Sequence, residues 1–157
     1  MTAVQGEVRA RRPQQHEALM QEMQSEAKFP TYRDVLLFAA AVGFYQQRRV
    51  PFVASSGDPI RYEVLTYPGF SDTLINMIAA NAVSDDAEIL DGPRLEERVA
   101  IFEEFANGGL EYIQEQVNVR HQPVNLIVIG LVTDVLAGGS HAKALSVDEL
   151  LGGVTWS

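Results

Sequence analysis

The side chains able to do chemistry are few and scattered. His16, His121 and His141 lie in different segments, and none has a carboxylate at the i+4 helical spacing that would complete a metal-ligand pair, so surface or capping roles explain them. Asp85, Asp86, Glu88 and Asp91 crowd ahead of Gly92, but their alternation is wrong for a calcium loop and no glutamate stands at the closing position; they read as an acidic loop. Asp58 and Glu63 fail as a metal-dependent nuclease pair because Leu65 occupies the place where that chemistry puts a lysine. The glycine pairs at 108–109, 138–139 and 152–153 have neither the strand before nor the lysine after that a phosphate loop requires. The sequence therefore predicts no catalytic residue, no metal site and no cofactor.

Binding is the chemistry left. Glu97, Glu104, Glu111 and Glu115 follow at spacings of 7, 7 and 4, which places them on one face of a helix, with Glu96, Glu103 and Arg98 beside them. Such a ridge is a solvated helix face, or a surface that meets a basic partner or mimics DNA. Arg48 and Arg49 stand where a helix C-terminus favours positive charge. Together with Arg9, Arg11, Arg12 and Arg33 they offer the competing surface, a set of phosphate contacts.

The elements that must carry these groups are mainly helices, about five, with at most one short strand or hairpin. Residues 1–12 show no hydrophobic period and read as a flexible basic arm; Pro13 opens a first helix to about Ala27 on Leu19, Met20 and Met23. Thr31 and Asp34 cap a second helix, about Tyr32 to Gln47, whose body leaves no polar face, so it is expected to be covered on most sides. Phe38 is placed in that core, where truncation to Ala should cost ~3–5 kcal/mol. Residues 53–59 read as a loop, and 60–67 as a short strand or a helical turn. Ser71 is the expected cap of a helix to about Ala82. From Arg94 to Val117 the apolar phase of Leu95, Val99, Phe102, Ala106, Leu110, Ile113 and Val117 passes straight through Asn107, Gly108 and Gly109. That favours one long helix with close packing at the glycines over a glycine cap and a new helix. Val124 to Gly138 predicts a last helix, with a buried strand from Leu126 to Val132 as the competing reading. Residues 13–139 form the helical domain and 140–157 a tail, in which Ser146 and Glu149 make a capping box.

Two blocks carry a resemblance. The pattern F-P-T-Y-x-D-V-L-x-F-A-A-x-x-G-F followed by R-R-x-P-F, in residues 29–52, and IFEEFANGGLEYI, from Ile101 to Ile113, resemble the dnd system-associated protein 4 family, encoded beside bacterial DNA phosphorothioation genes. With the apolar run in residues 68–80, the resemblance covers roughly residues 13–117. It implies a non-catalytic accessory protein of a phosphorothioation-linked DNA modification or restriction system in anti-phage defence. In the first reading the protein is an adaptor that docks on a larger system protein through its acidic helix. In the second it is a DNA-binding or regulatory module that uses the arginines of its basic end.

Composition sets the outer bounds. A chain of 157 residues with 46% hydrophobic content suits one domain with a sizeable core. No apolar run approaches the ~20 residues a bilayer span needs, and no secretory signal opens the chain, so a cytoplasmic location is expected. Without cysteine there are no disulfides and no thiol nucleophile. Residues 1–61 carry a net +2 and residues 62–157 a net −11, together the −9 of the whole, so a mildly basic end is joined to an acidic body. That balance favours the adaptor over general nucleic-acid binding.

Overall fold

In the computed structural model, which describes residues 7–67 and 69–138, the apolar phase that runs through Asn107, Gly108 and Gly109 becomes one unbroken helix, α5 (Leu95–Arg120). At ~1.5 Å per residue it is about 39 Å long, and it ends where His121 takes a left-handed conformation ahead of Pro123. Its middle is the axis of the molecule: every residue from Ile101 to Leu110 is buried except Glu104, which is half-buried. The glycines explain how a second helix comes so close. A methyl group on Gly109 would overlap the Ala39 carbonyl and come within 2.9 Å of the Gly43 amide nitrogen, and one on Gly43 would overlap the Phe105 carbonyl. Gly43 and Gly109 thus form a backbone-to-backbone crossing between α5 and α2 (Tyr32–Tyr45).

Around this crossing the elements run β1 (Arg9–Pro13), α1 (Glu17–Ser25), α2, β2 (Ser55–Arg61), α3 (Tyr62–Leu65), α4 (Phe70–Ala82), α5 and α6 (Val124–Leu136). The fold is mainly α, with one two-stranded antiparallel sheet. Phe102, Met20, Met23, Leu36, Leu65, Ile75, Ile78, Leu110 and Ile113 are fully buried in one core. The cap of α2 forms as read: the Thr31 hydroxyl oxygen accepts the Asp34 amide at 3.2 Å and donates to the Asp34 carboxylate at 2.7 Å. Its other end closes without glycine, since Gln47 adopts φ 58° while Arg48 donates its amide to the Gly43 carbonyl and Gln47 to that of Phe44.

Several boundaries differ from the sequence reading. Arg9 to Arg12 do not belong to a free arm: they form β1, paired Arg9 to Arg61, Ala10 to Ile60, Arg12 to Ser56 and Pro13 to Ser55. The strand was hidden because its alternation is arginine against alanine, with no apolar row to reveal it. Residues 55–59, read as a loop on their Gly, Asp and Pro, belong to β2, where a register shift takes up the extra residues and lets Gly57 adopt φ 64°. Pro13 both ends β1 and caps the short 3-10 turn Gln14–His16 that leads into α1, and α4 is capped by Gly69, with Ser71 buried inside its first turn. Phe38, placed in the core from the sequence, is half-buried, as are Leu37 and Ala41, and Tyr45 is exposed. The cover is missing because α6 packs against α5 and α1 and leaves a groove beside α2. The capping box at Ser146 lies outside the described residues.

Candidate interaction surface

The two charged sets singled out from the sequence face each other. Arg48 donates to Glu111 at 3.3 Å and pairs with Glu115 at 2.7 Å; Arg49 pairs with Glu104 at 3.0 Å; and Glu97 pairs with Arg94, which also holds Asp86. On the sheet side Arg11 pairs with Glu103 and Arg12 with Glu17, and Arg33 meets its neighbour Asp34. Four of these arginines also lie over an aromatic ring: Arg11 over Phe52, Arg12 over Tyr32, Arg48 over Tyr112 and Arg49 over Phe105. Each guanidinium is therefore held between a carboxylate and a π face, with its charge answered within the chain. Individual exposed pairs of this kind contribute little to stability, about 0–1 kcal/mol. Their consequence is for recognition, because a phosphate or a basic partner must displace an existing partner.

Some acidic groups have structural duties that spacing alone could not show. Glu103, counted beside the ridge, is buried against β1, where it accepts the Arg11 amide at 2.5 Å and so satisfies an edge-strand donor. Glu17 joins both strands to α2 by accepting from Arg12, Ser56 and Tyr32. Arg98 is buried and donates to the carbonyls of Ile89 and Asp91 at 2.7 and 2.8 Å, which holds the turns ahead of α5. Asn107 is wholly buried, donating to the Val50 carbonyl and accepting from Gln15. In the acidic loop Asp86 accepts from Arg94 through both carboxylate oxygens, at 2.8 and 2.7 Å. Among the described residues no group of three or more His, Asp or Glu could hold a metal ion.

These pairings give the protein a defined response to acid. Burial pushes the Glu17 carboxyl up, but the Ser56 hydroxyl, Arg12 and Tyr32 outweigh it and leave it below the ordinary carboxylate range. The hydrogen bond from Arg48 lowers Glu115, and that from Arg94 lowers Asp86 and Glu97. A carboxyl whose pKa is lower folded than unfolded stabilises above its unfolded value, and the gain disappears as pH falls through the folded value. Burial alone lowers His16, so the folded state favours its neutral form and loses ground as pH drops below about 6.5. Thermal melting should therefore soften slightly below pH ~6.5 and fall further below pH ~4. An unchanged Tm between pH 7 and 3 would contradict this network.

A sequence model described as DNA sulphur modification system-associated protein 4 matches residues 9–146. The chain belongs to this family. The match reaches from β1 past the end of α6, well beyond the two blocks that first suggested it. No curated protein and no solved structure matches the chain. For this member of the DNA sulphur modification system-associated family, what the surface leaves unanswered is mostly apolar. Tyr67 and Phe70 are about three-quarters exposed at the corner between α3 and α4, with Met77 two turns along the same face of α4. On α6, Leu126, Ile129, Val132, Val135 and Leu136 are exposed. From the sequence only a buried strand from Leu126 to Val132, the competing reading, placed part of this surface in the interior; periodicity reports that a helix has an apolar face, not which partner covers it. Two cations also stay unpaired among the described residues at the open end of the sheet, where Arg9 lies directly opposite Arg61.

Proposed function

We propose that this protein is a non-catalytic adaptor of a DNA sulphur modification system, part of restriction-linked defence, and that it meets a system protein through exposed aromatic and apolar side chains. The observation that carries this reading is the pairing of Arg11, Arg12, Arg33, Arg48 and Arg49 with carboxylates of the same chain. Tight DNA binding draws on cations free to replace the counterions of phosphate, and five of the six arginines first considered for that task are already engaged. Glu97, Glu104, Glu111 and Glu115 are each held by an arginine of the chain, Arg94, Arg49 or Arg48, so the docking role passes from the acidic ridge to the Tyr67 and Phe70 corner. Exposed aromatics of this kind are typical anchors of protein interfaces.

A second reading has one observation in its favour. Arg9 and Arg61 face each other across the sheet, and like charges directly opposite are mutually unfavourable. An anion seated between them would relieve that repulsion, which narrows a DNA-binding or regulatory role to this end of the sheet. The two readings separate when the full-length chain is titrated with each purified protein of the system and, independently, with duplex DNA. The adaptor predicts a nuclease-resistant complex with one system protein, weakened at least ~10-fold by Tyr67→Ala with Phe70→Ala. Absence of any protein complex, with DNA binding that Arg9→Ala and Arg61→Ala abolish, would replace it with the second reading.

A further inference from the structure

Helix α6 presents an almost uncharged surface. Of its residues, VNLIVIGLVTDVL, only Asp134 ionises, and only Val124 and Ile127 are buried. At 100° per residue Leu126, Ile129, Val132, Thr133 and Leu136 fall within an arc of ~120°, and all are exposed, Leu136 at 83%. This arc continues into the groove beside α2, a space of ≈ 340 Å³ with Phe38, Val42, Tyr45, Leu131 and Val135 among its walls. The groove also contains Arg120, from the end of α5, and Asp134. Arg120 donates only to Gln116, and neither it nor Asp134 is in an ion pair among the described residues.

We infer that the α6 face and its groove form a two-fold interface with a second copy of this chain, in which Arg120 of one protomer pairs with Asp134 of its partner. The groove beside this face holds one cation and one anion that are in no ion pair among the described residues, and such a surface is complementary to itself, because a two-fold axis presents each charge to its opposite twice. The net charge of −9 argues for the same place. Two copies repel over most of their surface, and self-association is favoured only where acidic groups are nearly absent and apolar area is large. This surface is separate from the Tyr67 and Phe70 corner, so a dimer would present that corner twice.

The test is sedimentation equilibrium of the full-length protein up to ~100 μM, a range that captures micromolar association. The expected species is twice the 17.3 kDa chain. Ile129→Asp, on the exposed arc, should weaken dimerisation at least ~100-fold while the circular dichroism spectrum stays helical. Should that variant unfold, the charge pair decides: Arg120→Asp and Asp134→Arg should each weaken the dimer, and the two together should recover most of the loss. A monomer across the whole range, a dimer indifferent to Ile129→Asp, or a double charge swap no better than either single change overturns the proposal.

Discussion

Gly109→Leu should lower stability by at least ~3 kcal/mol, at the upper end of what overpacking ordinarily costs. For a chain of this size that corresponds to a fall in Tm of roughly 6–12 °C. The reason is specific to the crossing: the added Cβ would overlap the Ala39 carbonyl, a backbone group that cannot swing aside as a side chain could. Even Gly109→Ala should destabilise, as should Gly43→Ala, whose Cβ meets Phe105 and Gly109 backbone from the opposite side. Gly130 is the internal control. It lies within α6 with nothing near the position of a Cβ, so Gly130→Ala should stabilise by up to ~1 kcal/mol through helix propensity alone. Chemical denaturation of the four variants checks this ordering, and a Gly109→Leu protein as stable as Gly130→Ala would show that α2 and α5 do not cross in backbone contact.

Phe102→Ala should cost ~3–5 kcal/mol, as a large cavity in a rigid core does. Phe102 is about 1% exposed on the buried stretch of α5, where surrounding elements cannot collapse onto the gap. Phe38, which the sequence placed in the core, is half-buried: it packs on Phe29 at 5.2 Å between ring centres and borders the open groove. Part of its surface is already wet, so Phe38→Ala should cost about half as much or less. Comparing the two melting curves tests which helix is central, and equal losses would restore α2 to that position.

What could be read from the sequence and what could not follow physical lines. A phase of apolar residues preserved across Asn107, Gly108 and Gly109 has no reason to survive a break, which favours one helix over a glycine cap, so α5 and its close packing were legible in the sequence. The Thr31 and Asp34 cap was legible for a similar reason, since both partners lie within one turn. The β1 and β2 pairing was not, because its signal is distributed over segments about fifty residues apart and its inward residues include Arg12. Helix α6 was legible as a helix, with a buried strand from Leu126 to Val132 as the competing reading; composition cannot distinguish a face covered by the same chain from one left open. The candidate site suffered most. Glu104, Glu111 and Glu115 were read as one surface and Arg48 and Arg49 as another, yet the turn after α2 brings Arg48 and Arg49 onto α5 and the two sets pair with each other. Only the tertiary path of the chain contains that information.

The central claim is that Arg11, Arg12, Arg33, Arg48 and Arg49 serve carboxylates of the same chain and leave recognition to exposed aromatic and apolar groups. Its most direct test is equilibrium binding of the full-length protein to duplex DNA at about 0.15 M ionic strength, where screening is physiological, alongside binding to each purified protein of the modification system. The account predicts no measurable affinity for DNA and a complex with one system protein that survives nuclease and weakens on Tyr67→Ala with Phe70→Ala. Tight DNA binding that disappears on Arg48→Ala with Arg49→Ala, and whose salt dependence falls with it, would contradict it.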